Sequence, residues 1–231
     1  MDWLRAIDAY CERVDASLLA EPANALTNGA FLLAALAVAR IRPPARELPW
    51  EQRGQPALIV AVGLGSLAFH TLANAWTSLL DTVFIALYIC VWLASFMARI
   101  IGWQSRAVAG ALIAYLILGW LLGSVLSHSG IGALMQGSGA YLPALLALSL
   151  AAWSISTRAP ALARRLGLAA IVFSASLVAR TLDLSLCPQW PLGTHFLWHV
   201  LNAWVLYLTS TALWHPAAES TGQVDRQSAR R

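Results

Sequence analysis

The sequence has no lysine: all fifteen of its basic residues are arginine. That uniformity reflects genome composition, and no chemistry is read into it. Charge of either sign is scarce. Only 11% of the 231 residues are charged and 59% are hydrophobic, whereas a soluble domain carries about 25% charged residues. Such a chain cannot cover a water-facing surface, so lipid is its expected solvent. The net charge of +4 is spread over loops rather than gathered in a patch, which argues against nucleic-acid binding. There are three cysteines, with Cys90 inside an apolar run, and this excludes a cysteine-rich metal site. Internal repeats, low-complexity tracts and a dividing linker are also lacking. The start is not expected to be a cleavable signal, because Met1–Glu21 holds five acidic residues and no basic stretch ahead of an apolar run.

What the sequence has in plenty is long apolar runs. Seven are counted: Ala23–Ala39, Ala57–Leu72, Leu79–Phe96, Ala107–Leu126, Tyr141–Ile155, Leu166–Val178 and Phe196–Leu213. Each is near the ~20 residues that a spanning helix needs. The expected fold is therefore all-α, a seven-transmembrane helix bundle. Arginines set its expected orientation. Arg40, Arg42, Arg46, Arg53, Arg99, Arg106, Arg158, Arg164, Arg165, Arg226, Arg230 and Arg231 fall on one face, and only Arg5, Arg13 and Arg180 on the other. The positive-inside rule then puts the N-terminus outside and the C-terminus in the cytoplasm; an odd number of helices requires the same. Three regions are expected: an N-terminal amphipathic, acidic segment (1–22), the membrane domain (23–214) and a disordered polar tail (215–231). Within the first, Trp3, Leu4, Ile7, Tyr10, Cys11, Val14 and Leu18 recur at helical spacing, which predicts a short helix lying on the membrane surface.

Ionisable residues inside a membrane are costly and usually functional. Ser66 and His70 lie four apart near the end of the second segment, Asp81 falls in the first turn of the third, and His195 and His199 lie four apart at the start of the seventh. With alternating helix directions all five fall at one depth, in the outer third of the membrane. Three neutral imidazoles with an open fourth position make a catalytic zinc site, in which the pKa of a bound water drops to about 7. Asp81 is placed to take the proton from that water and return it to a leaving amine, and Ser66 to hydrogen-bond a carbonyl oxygen as it becomes negative. Ser66 has a second reading, as helix-packing glue beside Gly63 and Gly65.

Other polar residues cluster at the same end. Glu21, Asn24 and Asn28 share a face of the first helix, preceded by Asp8, Glu12 and Asp15. They read either as oxygen ligands for calcium or as a solvated acidic face with a helix cap at Glu21. Cys11 and Cys187 both fall on the outer side, where disulfides persist; they are either bridged or free. Arg180 and Asp183, three apart on the sixth helix, are expected to pair. Trp50, Trp76, Trp103, Trp190 and Trp214 sit at helix ends, as interfacial belts require.

Taken together, Cys11-Glu12, EPANALTN (Glu21–Asn28), GSLAFH (Gly65–His70), Asp81 eleven residues further on, and HFLWH (His195–His199) resemble the alkaline ceramidases. These belong to a wider group of seven-helix membrane hydrolases that includes the adiponectin-receptor-like proteins. The likeness runs from about residue 8 to 210. It implies that His70, His195 and His199 hold zinc, with Ser66 and Asp81 lining a catalytic centre that cleaves ceramide or a similar N-acyl lipid. It also implies a disulfide using the N-terminal cysteine, here Cys11, and a calcium site between the N-terminal segment and the first helix. Glu12 and Glu21 match that site; Ala9 and Val14 stand where the family has Asp and Asn, leaving Asp8 or Asp15 to substitute. Asp8, Glu12 and Glu21 are thus the expected calcium set. The expected location is a bacterial inner membrane, with the zinc toward the outer side by the arginine count and a membrane lipid as the partner. The rival reading is a receptor or sensor with a structural zinc, which gives Ser66 and Asp81 no role. A transporter would need ionisable groups continuing toward the cytoplasm, which the inner halves of the segments lack.

Overall fold

Prolines open the helices. Pro22, Pro56, Pro143 and Pro160 each stand in the first two positions of a helix, where the missing N–H costs nothing and the fixed φ suits the turn. The computed structural model describes residues 2–214; the polar tail expected over 215–231 lies outside them. Ten α-helices follow in order: α1 (Pro22–Thr27), α2 (Gly29–Ile41), α3 (Trp50–Arg53), α4 (Gln55–Leu72), α5 (Ala75–Ser95), α6 (Ser105–Ser127), α7 (Gly130–Leu134), α8 (Leu142–Ser154), α9 (Pro160–Leu186) and α10 (His195–Ala212). A π-helical turn, Phe96–Ile101, extends α5. The described residues contain no β-strand, only an isolated bridge between Ala6 and Asn74.

Each of the seven apolar runs is helical, the first divided between α1 and α2 and the sixth lying inside the longer α9. Five stretches are long and apolar enough to cross a membrane: Pro22–Ile41, Gln55–Leu72, Ala75–Ile101, Ser105–Ser127 and Pro160–Leu186. The Ser138–Ser154 stretch is apolar but shorter. α10 carries two histidines, an asparagine and a Thr-Ser-Thr run along its length. It packs against α9, α2 and α1, while α4 packs against α5 and α2. α6 lies at the periphery, with Ile113, Ile117, Leu118, Trp120 and Val125 exposed. Exposed apolar side chains on this scale suit a lipid solvent rather than water.

Two glycines set how close α4 lies to its neighbours. A Cβ on Gly63 would stand 2.8 Å from the Phe31 Cβ on α2, and one on Gly65 would stand 2.8 Å from the Phe84 ring and 3.1 Å from the Leu80 carbonyl on α5. Small residues at such contacts let helix backbones approach. The α4–α5 turn is sharp. Ala73 takes a left-handed conformation at φ 43°, and Asn74 with Thr77 forms a capping box that starts α5. Further along α5, Tyr88 Oη lies 2.8 Å from both Thr209 and Ser210, and Trp92 Nε1 donates to the Thr209 carbonyl at 2.9 Å. These bonds tie α5 to α10 across the apolar core.

The N-terminal segment departs from expectation. It is not an amphipathic helix: residues 2–20 have no helix among them. The segment is a strap whose backbone pairs with the α4–α5 turn. Ile7 donates to Ala73 at 2.7 Å, and Ala75 and Trp76 donate to Arg5 and Trp3, both at 3.1 Å. A disulfide joins Cys11 to Cys187, with the Cα atoms 5.5 Å apart. Partners from other elements thus satisfy the backbone and bury Tyr10 and Cys11, and these overrule a local periodicity worth little alone.

Candidate metal centre

α4 brings Ser66 and His70 to one face, α10 brings His195 and His199, and the first turns of α5 bring Asp81. The five lie together. His70, His195 and His199 each offer a nitrogen within 4.8 Å of the others, and all three rings are buried. His70 Nε2 and His199 Nε2 are 3.1 Å apart. Ser66 Oγ lies 3.5 Å from His199 Nε2, and Asp81, only partly buried, is close to Ser66 and His70.

Groups behind the rings decide which nitrogen faces inward. Glu21 accepts from His70 Nδ1 at 2.5 Å. Thr27 donates its hydroxyl proton to the Ala23 carbonyl at 2.8 Å and therefore accepts from His199 Nδ1 at 2.9 Å. With Nδ1 of each ring turned to these partners, both rings direct Nε2 inward, 3.1 Å apart. A shared cation suits that arrangement. Zinc with bonds of ~2.0–2.1 Å would set such nitrogens about 3.3 Å apart, close to the His70–His199 spacing, and His195 completes a group whose nitrogens all lie within 4.8 Å. His195 is held differently. Its ring stacks on Tyr10, with centroids 3.6 Å apart and planes 17° apart, while its Nδ1 is buried without a partner.

The backbone under His195 is fixed by Asp183, which accepts from the amides of Thr194 (2.7 Å) and His195 (2.8 Å), and from Cys11 at 2.8 Å. A carboxylate at the amino end of α10 meets its unpaired amides and its dipole. The expected Arg180–Asp183 pair is therefore not formed. Arg180 turns away instead. It donates to the Gln136 carbonyl (2.6 Å), Ser138 Oγ (3.2 Å) and Tyr10 Oη (3.4 Å). Its guanidinium lies 5.6–5.9 Å from the ring centroids of Tyr10, Tyr141 and Trp198.

The calcium set expected from Asp8, Glu12 and Glu21 is not brought together. Asp8 is exposed. Glu12 is consumed as a cap, accepting from the amides of Ala23 (2.6 Å) and Asn24 (2.8 Å). Glu21 accepts from Arg13 Nε at 2.6 Å, Asn24 Nδ2 at 3.0 Å and His70. Burial pushes the Glu21 carboxyl up, but the hydrogen bonds from His70, Arg13 and Asn24 outweigh it and hold the group below its ordinary range. Thr27, Tyr10, Arg13 and the capping role of Asp183 were not anticipated. Glu21 within EPANALTN was singled out, but for calcium rather than for His70.

A cavity opens beside the histidines. It is lined by Phe31, Tyr88, Trp92, Tyr141, Phe173 and Trp198 among other side chains. Phe31 stands edge-on to His199 at 6.3 Å, and Trp198 lies parallel to His195 at 6.4 Å. Fold and site together define an all-helical, membrane-compatible protein with a buried three-histidine group able to hold a metal ion.

A family model described as Ceramidase matches residues 7–229, and the chain belongs to that family. Membership supports hydrolase activity on a ceramide-type lipid. No curated protein matches the chain in a sequence search.

Proposed function

We propose that this protein is a zinc-dependent intramembrane amidohydrolase that cleaves ceramide or a similar N-acyl lipid to a fatty acid and a sphingoid-type amine. The observation that carries the metal is the convergence of three buried imidazoles, His70, His195 and His199, whose nitrogens lie within 4.8 Å of one another. Bound to His70, His195 and His199, zinc would supply a Lewis acid that polarises a carbonyl and activates water. The chain's own residues do the rest. Glu21 and Thr27 lock the tautomers of His70 and His199. Asp81, next to the histidines and partly exposed, is the base that takes a proton from the attacking water and then gives it to the leaving nitrogen. Ser66, between Asp81 and His199, donates to the carbonyl oxygen as negative charge develops. The apolar cavity takes a hydrocarbon chain, which brings the amide to the histidine layer. A structural zinc in a receptor leaves Ser66 and Asp81 without a task.

The seven-span arrangement, with the N-terminus outside, the zinc toward the outer side of a bacterial inner membrane and the C-terminus in the cytoplasm, belongs to the same proposal. So does the division into an N-terminal segment, a membrane domain over 23–214 and a tail. Mass spectrometry of N-acyl lipids incubated with purified protein tests the activity. Wild type should release fatty acid and the matching amine, and His199→Ala should release neither. Equal turnover by both proteins would remove the proposal.

A further inference from the structure

The buried carboxylate behind His70 has a cation of its own. Arg13 is 9% exposed, and all three of its guanidinium nitrogens are bonded. Nε donates to Glu21 at 2.6 Å, one terminal nitrogen to the Asp15 carbonyl at 3.1 Å, and the other to the His70 carbonyl at 3.2 Å. That last acceptor lies in the final turn of α4, where carbonyls lack partners and the helix end is negative. Arg13 therefore grips His70 twice, through Glu21 on the ring and directly on the backbone.

The same contacts leave little for a divalent ion. Calcium takes 6–8 oxygen ligands. Glu21 offers both oxygens to Arg13, His70 and Asn24, and Glu12 offers both of its own to backbone amides. The side-chain oxygens of Asn24 and Asn28 are buried without partners. Two neutral oxygens do not balance a divalent charge set beside a guanidinium, so the residues present do not fit calcium.

We propose that Arg13 is the resident cation at this end of the bundle, a positioning residue that holds Glu21 against His70 so that the metal site forms without calcium. The inference rests on the three-histidine metal reading above. Its test is metal binding rather than turnover. Full-length protein in detergent, loaded with zinc, is dialysed against calcium at millimolar concentration, and its zinc release to a chelator is timed for wild type, Arg13→Gln and Arg13→Lys.

Wild type should take up no stoichiometric calcium. Groups that orient a metal ligand are worth about 10–100-fold in metal affinity, so Arg13→Gln should release zinc faster by that order. Arg13→Lys, which keeps the charge but not the fork, should fall between. One calcium per wild-type chain, or wild-type release from Arg13→Gln, would overturn the inference while leaving the zinc site standing. If Arg13→Gln does not fold, Arg13→Lys decides alone, and release at the wild-type rate counts against the role. A wild-type protein that holds no zinc would remove the metal reading itself, and this inference with it.

Discussion

Asp81 stands close to Ser66 and His70, yet it does not belong to the group of three imidazoles that could hold a metal ion. That geometry separates proton transfer from metal retention. Asp81→Asn keeps size and polarity and removes the base. Turnover of an N-acyl lipid should fall about 10²–10⁴-fold, the usual worth of general acid–base catalysis, while zinc content stays at the wild-type level. Loss of zinc along with activity would make Asp81 a ligand, and unchanged turnover would place the base elsewhere. At this scale the sequence was informative about the five central residues, because i, i+4 spacing on one helix puts two side chains on one face whatever the surroundings. It was silent about their partners. Nothing local to Thr27 says that its hydroxyl meets His199, and Arg180 was paired with Asp183 only because the two are three apart.

Helix packing is where the site gains its geometry. α4 carries Ser66 and His70, and its distance from α5 sets how far Ser66 stands from Asp81. Gly65 governs that distance, since an added Cβ would meet the Phe84 ring at 2.8 Å and the Leu80 backbone at 3.1 Å. The ring can shift but the carbonyl cannot without moving α5. Gly65→Ala should therefore cost roughly 1–3 kcal/mol of stability, the range for overpacking, and lower activity beyond what that loss explains. Thermal unfolding in detergent, followed with a turnover assay at a temperature where the variant is fully folded, checks both. A variant with wild-type stability and turnover would mean that α4 and α5 tolerate separation. The element boundaries themselves were readable in part. The apolar runs located each long helix, but α9 extends from Pro160 to Leu186, well past the run Leu166–Val178. Arginines and an aspartate at its ends obscured a helix that continues through them.

For the whole molecule, orientation decides which side of the membrane meets the histidine layer. Ala-to-Ser or similar changes cannot test this; labelling can. With Cys90→Ser as background, Arg46→Cys should react with an impermeant thiol reagent only from the cytoplasmic side, and Ile131→Cys only from outside. Arg46 has an exposed side chain and Ile131 is 60% exposed, so either site is reachable from its own compartment. The reverse pattern would turn the bundle over and put the metal centre toward the cytoplasm. By itself the sequence determined that the chain is helical and apolar, where its helices lie, and which five polar residues share a layer, because hydropathy and the 3.6-residue period are properties of each segment alone. The tertiary structure decided the rest. The strap over residues 2–20 is not a helix because its backbone finds partners at the α4–α5 turn and Cys11 is bonded to Cys187. Docked there, it delivers Tyr10 to His195 and Arg13 to His70, contacts across 185 and 57 positions of chain, and Arg13 to Glu21, none of which a local period encodes.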